Sequence, residues 1–425
     1  MMIIASTLIF FGLLVAGLDV GFAMILAATI GMLLHGGIDP VMAPLTVVSG
    51  VDSAALITVP LFVLAGEIMN RGGVTRRLIE WSTAMVGHLR GSLSQVALMT
   101  NLIMAGISGS AVADATATGS IMIPAMKKEG YKPGYAAAVI AAGAMLGPIL
   151  PPSIPLIIYA IMANLSIGKL FLAGVVPGLM LFVGYMVICS WVARREGYAA
   201  KPPATWRERA SATRGSIWAL LVPVLIIVGI RSGVITETEA AGVICVYALI
   251  VGIVIYRDLQ LRSLGEVFFS AGRTSAVILF LLAAAGPFSW LLNESHIATQ
   301  ISQAILSLSD NPLVILLIVN LMLFIVGMIL EPLPALVMFV PTLLPIQAQL
   351  GIDPIQFAMI VVLNLMIGML HPPIGLLIFV TGAVGRVPLW PIAVQLLPFL
   401  GWSVTVLVLI SLFPGIATWL PNASF

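Results

Sequence analysis

Charge is what this sequence has least of. Only 8% of its 425 residues are Asp, Glu, Lys or Arg, while 60% are hydrophobic. Its mean hydropathy is +1.15. Soluble domains carry about 25% charged residues, so a water-soluble globular protein of this length is excluded. A net charge of +2 provides no basic surface for a nucleic-acid partner. The two cysteines, Cys189 and Cys245, lie inside apolar runs and have no Cys-x-x-Cys spacing. That pattern argues against a disulfide framework and a thiolate metal site, and the two read as buried bystander thiols. The four histidines, His35, His88, His296 and His371, do not cluster in sequence. Neither His-Glu-x-x-His nor Gly-x-Gly-Asp occurs, so the signatures of membrane zinc and aspartyl proteases are missing, and no transition metal is expected. No basic residue precedes Arg71. A cleavable signal peptide has a basic start, so residues 2–18 are expected to be a retained membrane helix.

What the chain does contain is apolar helix, enough for roughly a dozen membrane-crossing or half-crossing segments at about 20 residues each. Spans are expected at 2–18, 20–36 and 54–70, with a loop carrying Asp39, Pro40 and Pro44 between the last two. Residues 75–90 are amphipathic and flanked by arginines, the pattern of a helix lying along the membrane surface. Two long segments are then interrupted in the middle. Gly106-Ile107-Ser108-Gly109-Ser110 breaks a hairpin over 92–126, and Gly147-Pro148-Ile149-Leu150-Pro151-Pro152-Ser153 breaks a helix over 134–163. Such residues release backbone carbonyls and amides from the helical ladder. In a bilayer that is tolerated only against protein or a polar cavity.

The same pattern recurs 221 positions later. Gly106 meets Gly327, Ser110 meets Glu331, Pro124 meets Pro345, Gly130 meets Gly351, Pro133 meets Pro354, Gly147 meets Gly368, and Pro151-Pro152 meet Pro372-Pro373. Single matches are cheap among 40 Gly and 27 Pro, but a set in one register is not. We read a second hairpin over 313–347 and a second broken helix over 354–384. The first half is 1–193, the basic stretch 194–214 is a cytoplasmic connection too short for a soluble domain, and the second half is 215–425. Within the halves, further spans are expected at 170–192, 215–230, 238–256, 267–285 and 390–413, with an amphipathic stretch at 297–309. With the N-terminus outside and both hairpins re-entrant, all but Lys169 and Arg231 of the 19 Lys and Arg residues fall on the cytoplasmic side. Positive residues gather inside, which favours this topology. It makes the two repeats inverted, as in alternating-access transporters. The fold class is therefore an all-α polytopic membrane protein with inverted repeats, each a re-entrant hairpin followed by a discontinuous helix.

Four stretches, VPLFVLAGEIMNRGG at 59–73, GISGSAVADATATGSIMIPAMKKEGY at 106–131, PILPPSIPLIIYAIMANLSIGKLFLAGVVPG at 148–178 and GIDPIQFAMIVVLNLMIGMLHPPIG at 351–375, resemble the large membrane subunit of TRAP transporters, the DctM-like family. The resemblance covers essentially the whole chain. It implies an elevator-type transporter in the bacterial inner membrane, with a small four-helix membrane subunit and a periplasmic binding protein as partners. It implies a sodium gradient driving import of a small organic acid anion such as a C4-dicarboxylate, a sialic acid or a sugar acid. A stand-alone Na+- or H+-coupled dicarboxylate symporter of the same superfamily is the alternative, and an intramembrane enzyme using Asp114 and Glu331 is a weaker one. A purely structural subunit would leave the paired broken helices without a ligand to hold.

The resemblance also assigns residues. One Na+ would sit at Ser108 and the carbonyls of Gly147, Leu150 and Pro152. A second would sit near Gly327, Gly368, His371 and Ile374. The hairpin tips, Ser108, Gly109, Ser110, Asp114, Glu331 and Pro332, would face the substrate. Two positions depart from the family pattern. Glu331-Pro332-Leu333-Pro334 stands where Asp-x-Thr-Pro is common, and His371 stands where Thr is common. The readings open for His371 are a site of backbone carbonyls without the hydroxyl, a neutral imidazole that bonds across the site or makes coupling pH-sensitive, and a packing residue at a helix kink. A competing reading of the glycines is close helix packing. For Asp114 the competing reading is compensation of a helix N-terminus, and an intramembrane carboxylate is costly enough to be a functional candidate. Glu67 is expected to pair with Arg71, and Trp and Tyr to anchor at the membrane interfaces. Helix N-termini at the tips offer a way to hold an anion without a dedicated arginine.

Overall fold

A computed structural model describes residues 2–34, 39, 41–294, 303, 305, 309, 311–372 and 375–424. Among them every regular element is helical. Seven helices are long and apolar enough to cross a membrane. The expected amphipathic stretch at 297–309 and the site residue Ile374 lie largely or wholly outside the described residues.

The chain opens with α1 (Met2–Val15) and α2 (Val20–Leu34). The expected loop around Pro44 is instead a short helix, α3 (Met42–Ser49). Pro44 falls in its first turn, where a missing N–H removes no intrahelical bond. A 3-10 turn at Ala54–Ile57 leads into α4 (Thr58–Arg71) and then α5 (Val74–Val86). The amphipathic stripe of α5, Val74, Leu78, Ser82 and Val86, is buried, and α5 packs on α6 (Ser92–Ser108).

The hairpin is α6 and α7 (Ala111–Lys128), and the broken helix is α8 (Pro133–Ala144) and α9 (Ile154–Met162). α10 (Ile167–Glu196) follows. The basic connection is shorter than the sequence indicates, because α11 (Trp206–Arg231) already begins inside it. Thr205 and Glu208 close a reciprocal cap there: the Glu208 amide donates to Thr205 Oγ1 at 3.3 Å and the Thr205 amide to Glu208 Oε2 at 2.7 Å. α12 (Glu237–Ile250) ends in a π turn at Val251–Ile255. α13 (Leu264–Glu294) is longer at both ends than the 267–285 span expected. The second hairpin is α14 (Pro312–Ile329) and α15 (Pro332–Leu350), followed by α16 (Pro354–Gly368), α17 (Leu376–Gly385), α18 (Leu389–Leu412) and a short terminal helix, α19 (Gly415–Asn422), not foreseen from the sequence.

The helix ends repeat at the spacing seen in the sequence. α6 and α14 end at Ser108 and Ile329, α7 and α15 begin at Ala111 and Pro332, and α8 and α16 begin at Pro133 and Pro354, each pair 221 apart. Packing repeats as well. α6 and α7 lie on α8 as α14 and α15 lie on α16, and the returning arms cross over, α7 onto α17 and α15 onto α9. Both first half-helices are enclosed: Gly134–Ala144 of α8 and Gln356–Gly368 of α16 are buried throughout. A helix apolar all round belongs in the centre of a larger protein. The small side chains of α8 let its neighbours approach closely. Around this inner bundle, α4 packs on α12, and α13 packs on α2, α3 and α4.

The tyrosines depart from the expected interface role. Tyr135, Tyr159 and Tyr185 are buried, and the Tyr185 hydroxyl lies 2.6 Å from that of Ser403. Tyr131 and Tyr198 stack with centroids 4.0 Å apart, tying the loop after α7 to the end of α10. Ser403 gives the buried Tyr185 hydroxyl a partner, and Tyr131, Tyr135 and Tyr198 stack together. Both cysteines are buried and free, as the sequence implies.

Candidate functional site

The first hairpin tip is built by a glycine and a serine. Gly109 caps α6 in the left-handed region at φ +62, which lets the chain reverse, and Ser110 caps α7 by accepting from the Ala113 amide at 3.4 Å. The reversal brings Ser108 back over the first turn of α7, where its hydroxyl donates to Asp114 Oδ1 at 2.6 Å. The Ser110 amide donates to Ser108 Oγ at 3.2 Å. Asp114 is fully buried, and its Oδ2 has no hydrogen-bond partner among the described residues. One turn on, Thr118 donates to the Asp114 carbonyl at 2.6 Å and lies 3.0 Å from Asn101 Oδ1, locking the two arms together.

The unpartnered oxygen faces the break between α8 and α9. A Cβ on Gly147 would stand 2.9 Å from Asp114 Oδ2 and 3.2 Å from the Ser110 carbonyl carbon. Pro152 presents its carbonyl oxygen to Gly109, where even a methyl would collide with it. Ser153 caps α9 by accepting from the Leu156 amide at 3.2 Å, and its own hydroxyl donates across the break to the Pro148 carbonyl. Gly66 of α4 backs the tip, with Ser108 Cα 3.2 Å from where its Cβ would be. Ser108, Gly109, Ser110, Asp114, Gly147 and Pro152 are thus brought together. Leu150 lies in the same break with its side chain against Gly178 of α10.

The second break differs. Gly327 and Gly368 lie backbone to backbone, leaving no room for a Cβ on Gly368, which is the close-packing geometry. The carbonyls around His371 are engaged: Gly375 donates to the His371 carbonyl at 2.8 Å, His371 to that of Gly368 at 3.1 Å, and Leu377 to that of Met369 at 3.0 Å. The imidazole packs edge-on against Phe324 with centroids 4.7 Å apart, and its Nδ1 has no partner among the described residues. Glu331 caps α15 without a side-chain bond and is exposed. At the first break Asp114 Oδ2 lies against Gly147 and the Pro152 carbonyl against Gly109; among the described residues of the second, Gly327 and Gly368 pack backbone to backbone.

Both tips face one cavity of about 630 Å³. Ser108 to Asp114, Pro148 and Ile154 line it from the first repeat, and Glu331, Pro332 and Met369 from the second. α4 contributes Gly66, Glu67 and Asn70, and α13 contributes Ser270, Arg273, Thr274 and Val277. Glu67 is paired with Arg71 at 3.0 Å as expected, and Arg71 also reaches Glu266 of α13 at 2.9 Å. A smaller cavity lined by Arg71, Glu266 and Phe269 adjoins, sharing Ser270 and Arg273. The lining of the main cavity includes Arg273, a residue the sequence places only among the topological charges. Its position ten residues into α13, among Ser270, Thr274 and Ser275, was the available signal.

The cost of Asp114 limits what the site does. An isolated ion taken out of water costs several kcal/mol even after relaxation, while a hydrogen bond to a charged group returns about 1.5–3 kcal/mol. One serine hydroxyl does not balance that cost, so the arrangement suits a cation or a proton held on Asp114 Oδ2. Hard oxygen donors, a hydroxyl, a carboxylate and carbonyls, suit an ion of sodium's kind.

Comparison with known proteins places the chain in a family. The family described as Tripartite ATP-independent periplasmic transporter, DctM component, matches residues 7–416. The chain is 38% identical over 411 residues to the sialic acid TRAP transporter large permease protein SiaM of Vibrio cholerae, covering 97% of this chain and 96% of that one. It is 36% identical to the 2,3-diketo-L-gulonate TRAP transporter large permease protein YiaN of Escherichia coli (90% and 91% covered). It is also 36% identical to the C4-dicarboxylate TRAP transporter large permease protein DctM of Pseudomonas aeruginosa (86% of each covered). The crystal structure of the Alcanivorax borkumensis YdaH transporter shares its fold, with a TM-score of 0.62, 15% identity and 87% and 88% of the two chains covered.

Proposed function

This chain belongs to the DctM component family of tripartite ATP-independent periplasmic transporters, and from that premise we propose that it is the large membrane subunit of a binding-protein-dependent importer of a small organic acid anion, driven by a sodium gradient. It is a multi-pass inner-membrane protein and not an enzyme. Its partners are a small membrane subunit and a periplasmic binding protein, in keeping with the tripartite system named for its relatives. The substrate belongs to the sialic acid, C4-dicarboxylate or sugar acid class, on the same ground.

One observation supports sodium coupling above the rest: the unpartnered Asp114 Oδ2 beside Ser108 and Gly147, at a break where carbonyls are also presented. We place the first ion there, with Asp114 as a direct ligand rather than a distant helper. The second site depends on carbonyls alone, since His371 supplies no hydroxyl. The inner bundle of α6–α10 and α14–α18 is the moving part, carrying both tips as an elevator against α1–α5 and α11–α13, and the N-terminus is periplasmic.

The test is uptake into proteoliposomes holding the complete transporter with its loaded binding protein. Uptake is expected under an inward sodium gradient and absent when potassium replaces sodium. Uptake driven equally well by a pH gradient without sodium would instead establish proton coupling through Asp114. Uptake by this chain alone, without binding protein or small subunit, would favour the stand-alone symporter.

A further inference from the structure

Arg273 is exposed on α13 and lines the cavity onto which both hairpin tips face. It is the one basic side chain among the described lining residues. None of the ion pairs found among the described residues involves it. Glu67 and Glu266 share Arg71, while Glu331, which lines the same cavity, is in none of those ion pairs. Ser270, Arg273, Thr274 and Val277 fall at helical spacing on one stripe of α13 and line the cavity together.

Ionisable residues of membrane helices that face a cavity mark ligand paths. We propose that Arg273 binds a carboxylate of the transported anion in this cavity, opposite the Ser108–Ser110 tip. This rests on the reading of the chain as an organic-anion transporter. Arginine matches a carboxylate with two parallel N–H donors, and such charge-assisted pairs are roughly twice as strong as neutral ones. Asp114 does not oppose the anion, because its charge is met by the coupling ion. Glu331, on the second tip, is the competing partner: an Arg273–Glu331 pair formed on closure would be a gate rather than a binding site. α13 packs on α2, α3 and α4 and also on α15, the returning arm of the second tip, so Arg273 stands beside both tips in the conformation in which they face this cavity.

The test is anion-dependent thermal stabilisation of the purified membrane complex, without binding protein, in saturating NaCl. N-acetylneuraminate, succinate and 2,3-diketo-L-gulonate are each compared with their methyl esters. The wild type is expected to prefer one acid over its ester by tenfold or more in half-saturating concentration. R273Q is expected to lose that preference while keeping its response to sodium, and R273K to retain part of it, since lysine keeps the charge but not the fork. Unchanged acid preference in R273Q overturns the proposal. So does a wild type that responds to sodium yet shows no acid preference. If R273Q does not fold, R273K decides: acid preference equal to wild type overturns the proposal and a reduced preference supports it. An uptake defect in R273Q that is restored by E331Q, with acid preference intact, assigns the gate and overturns the binding role. Loss of the sodium response in the wild type itself would instead contradict the sodium-coupled reading.

Discussion

Ser108 and Asp114 make the first tip a unit in which each residue has a separable consequence. Ser108→Ala leaves Asp114 Oδ1 without its donor at 2.6 Å, and losing a bond to a charged group costs about 1.5–3 kcal/mol. A lowered unfolding midpoint is therefore expected in sodium and in potassium, together with a weakened response to sodium because Ser108 borders the proposed ion, read by thermal unfolding in detergent. Asp114→Asn keeps an acceptor for Ser108 but removes the charge. Its stability in potassium should be no lower than that of the wild type, and its response to sodium should vanish; a retained sodium response would remove Asp114 from the ion site. At the second break, His371→Thr places a hydroxyl beside the engaged carbonyls of Gly368, Met369 and His371. The sodium dependence of the unfolding midpoint should become steeper, with a concentration series in the variant and wild type as the measurement. An unchanged curve would show that this break binds no ion through a side chain at position 371.

At the scale of elements, the two repeats share their breaks but not their closeness. Gly327 and Gly368 touch through their backbones, so Gly368→Ala pushes a methyl into main chain that has no rotamer to yield. Overpacking of this kind costs about 1–3 kcal/mol, and the loss should appear as a lowered midpoint in chemical unfolding. Gly130→Ala is the control for crowding, since nothing lies within 4 Å of its missing Cβ; its penalty comes only from φ +84. Where helices stop was legible because Gly and Pro act locally: the ends at Ser108, Ala111 and Pro133 recur at Ile329, Pro332 and Pro354. α3 was missed because Pro44 reads as a breaker when its place in a first turn is unknown. The buried tyrosines were missed because burial depends on partners such as Ser403, 218 residues away from Tyr185. Asp114 was visible as a candidate, but its open oxygen was not, since that depends on how α7 meets Gly147. Arg273 was read by its side of the membrane because sequence neighbours say nothing of the cavity α13 turns toward.

At the scale of the molecule, the inner bundle and the outer helices meet at the cavity, and the proposed function requires conformation, ion and anion to be coupled there. A ligand shifts such an equilibrium only through its different affinity for the two states. The topology proposed here has its own check, because both native cysteines are buried and leave little background for labelling. A cysteine introduced at Arg207 should react with a membrane-impermeant maleimide only from the cytoplasmic face, and one at Ser232 only from outside. The opposite pattern would invert the assignment. The account's central claim is an ion held at the first break by Asp114, and its most direct measurement is thermal unfolding of the purified complex in sodium chloride against potassium chloride at equal ionic strength. A ligand that binds only the folded state at 100 times its Kd contributes about 2.7 kcal/mol. The account predicts a sodium-specific rise in midpoint that Asp114→Asn abolishes. Equal midpoints in the two salts would contradict it.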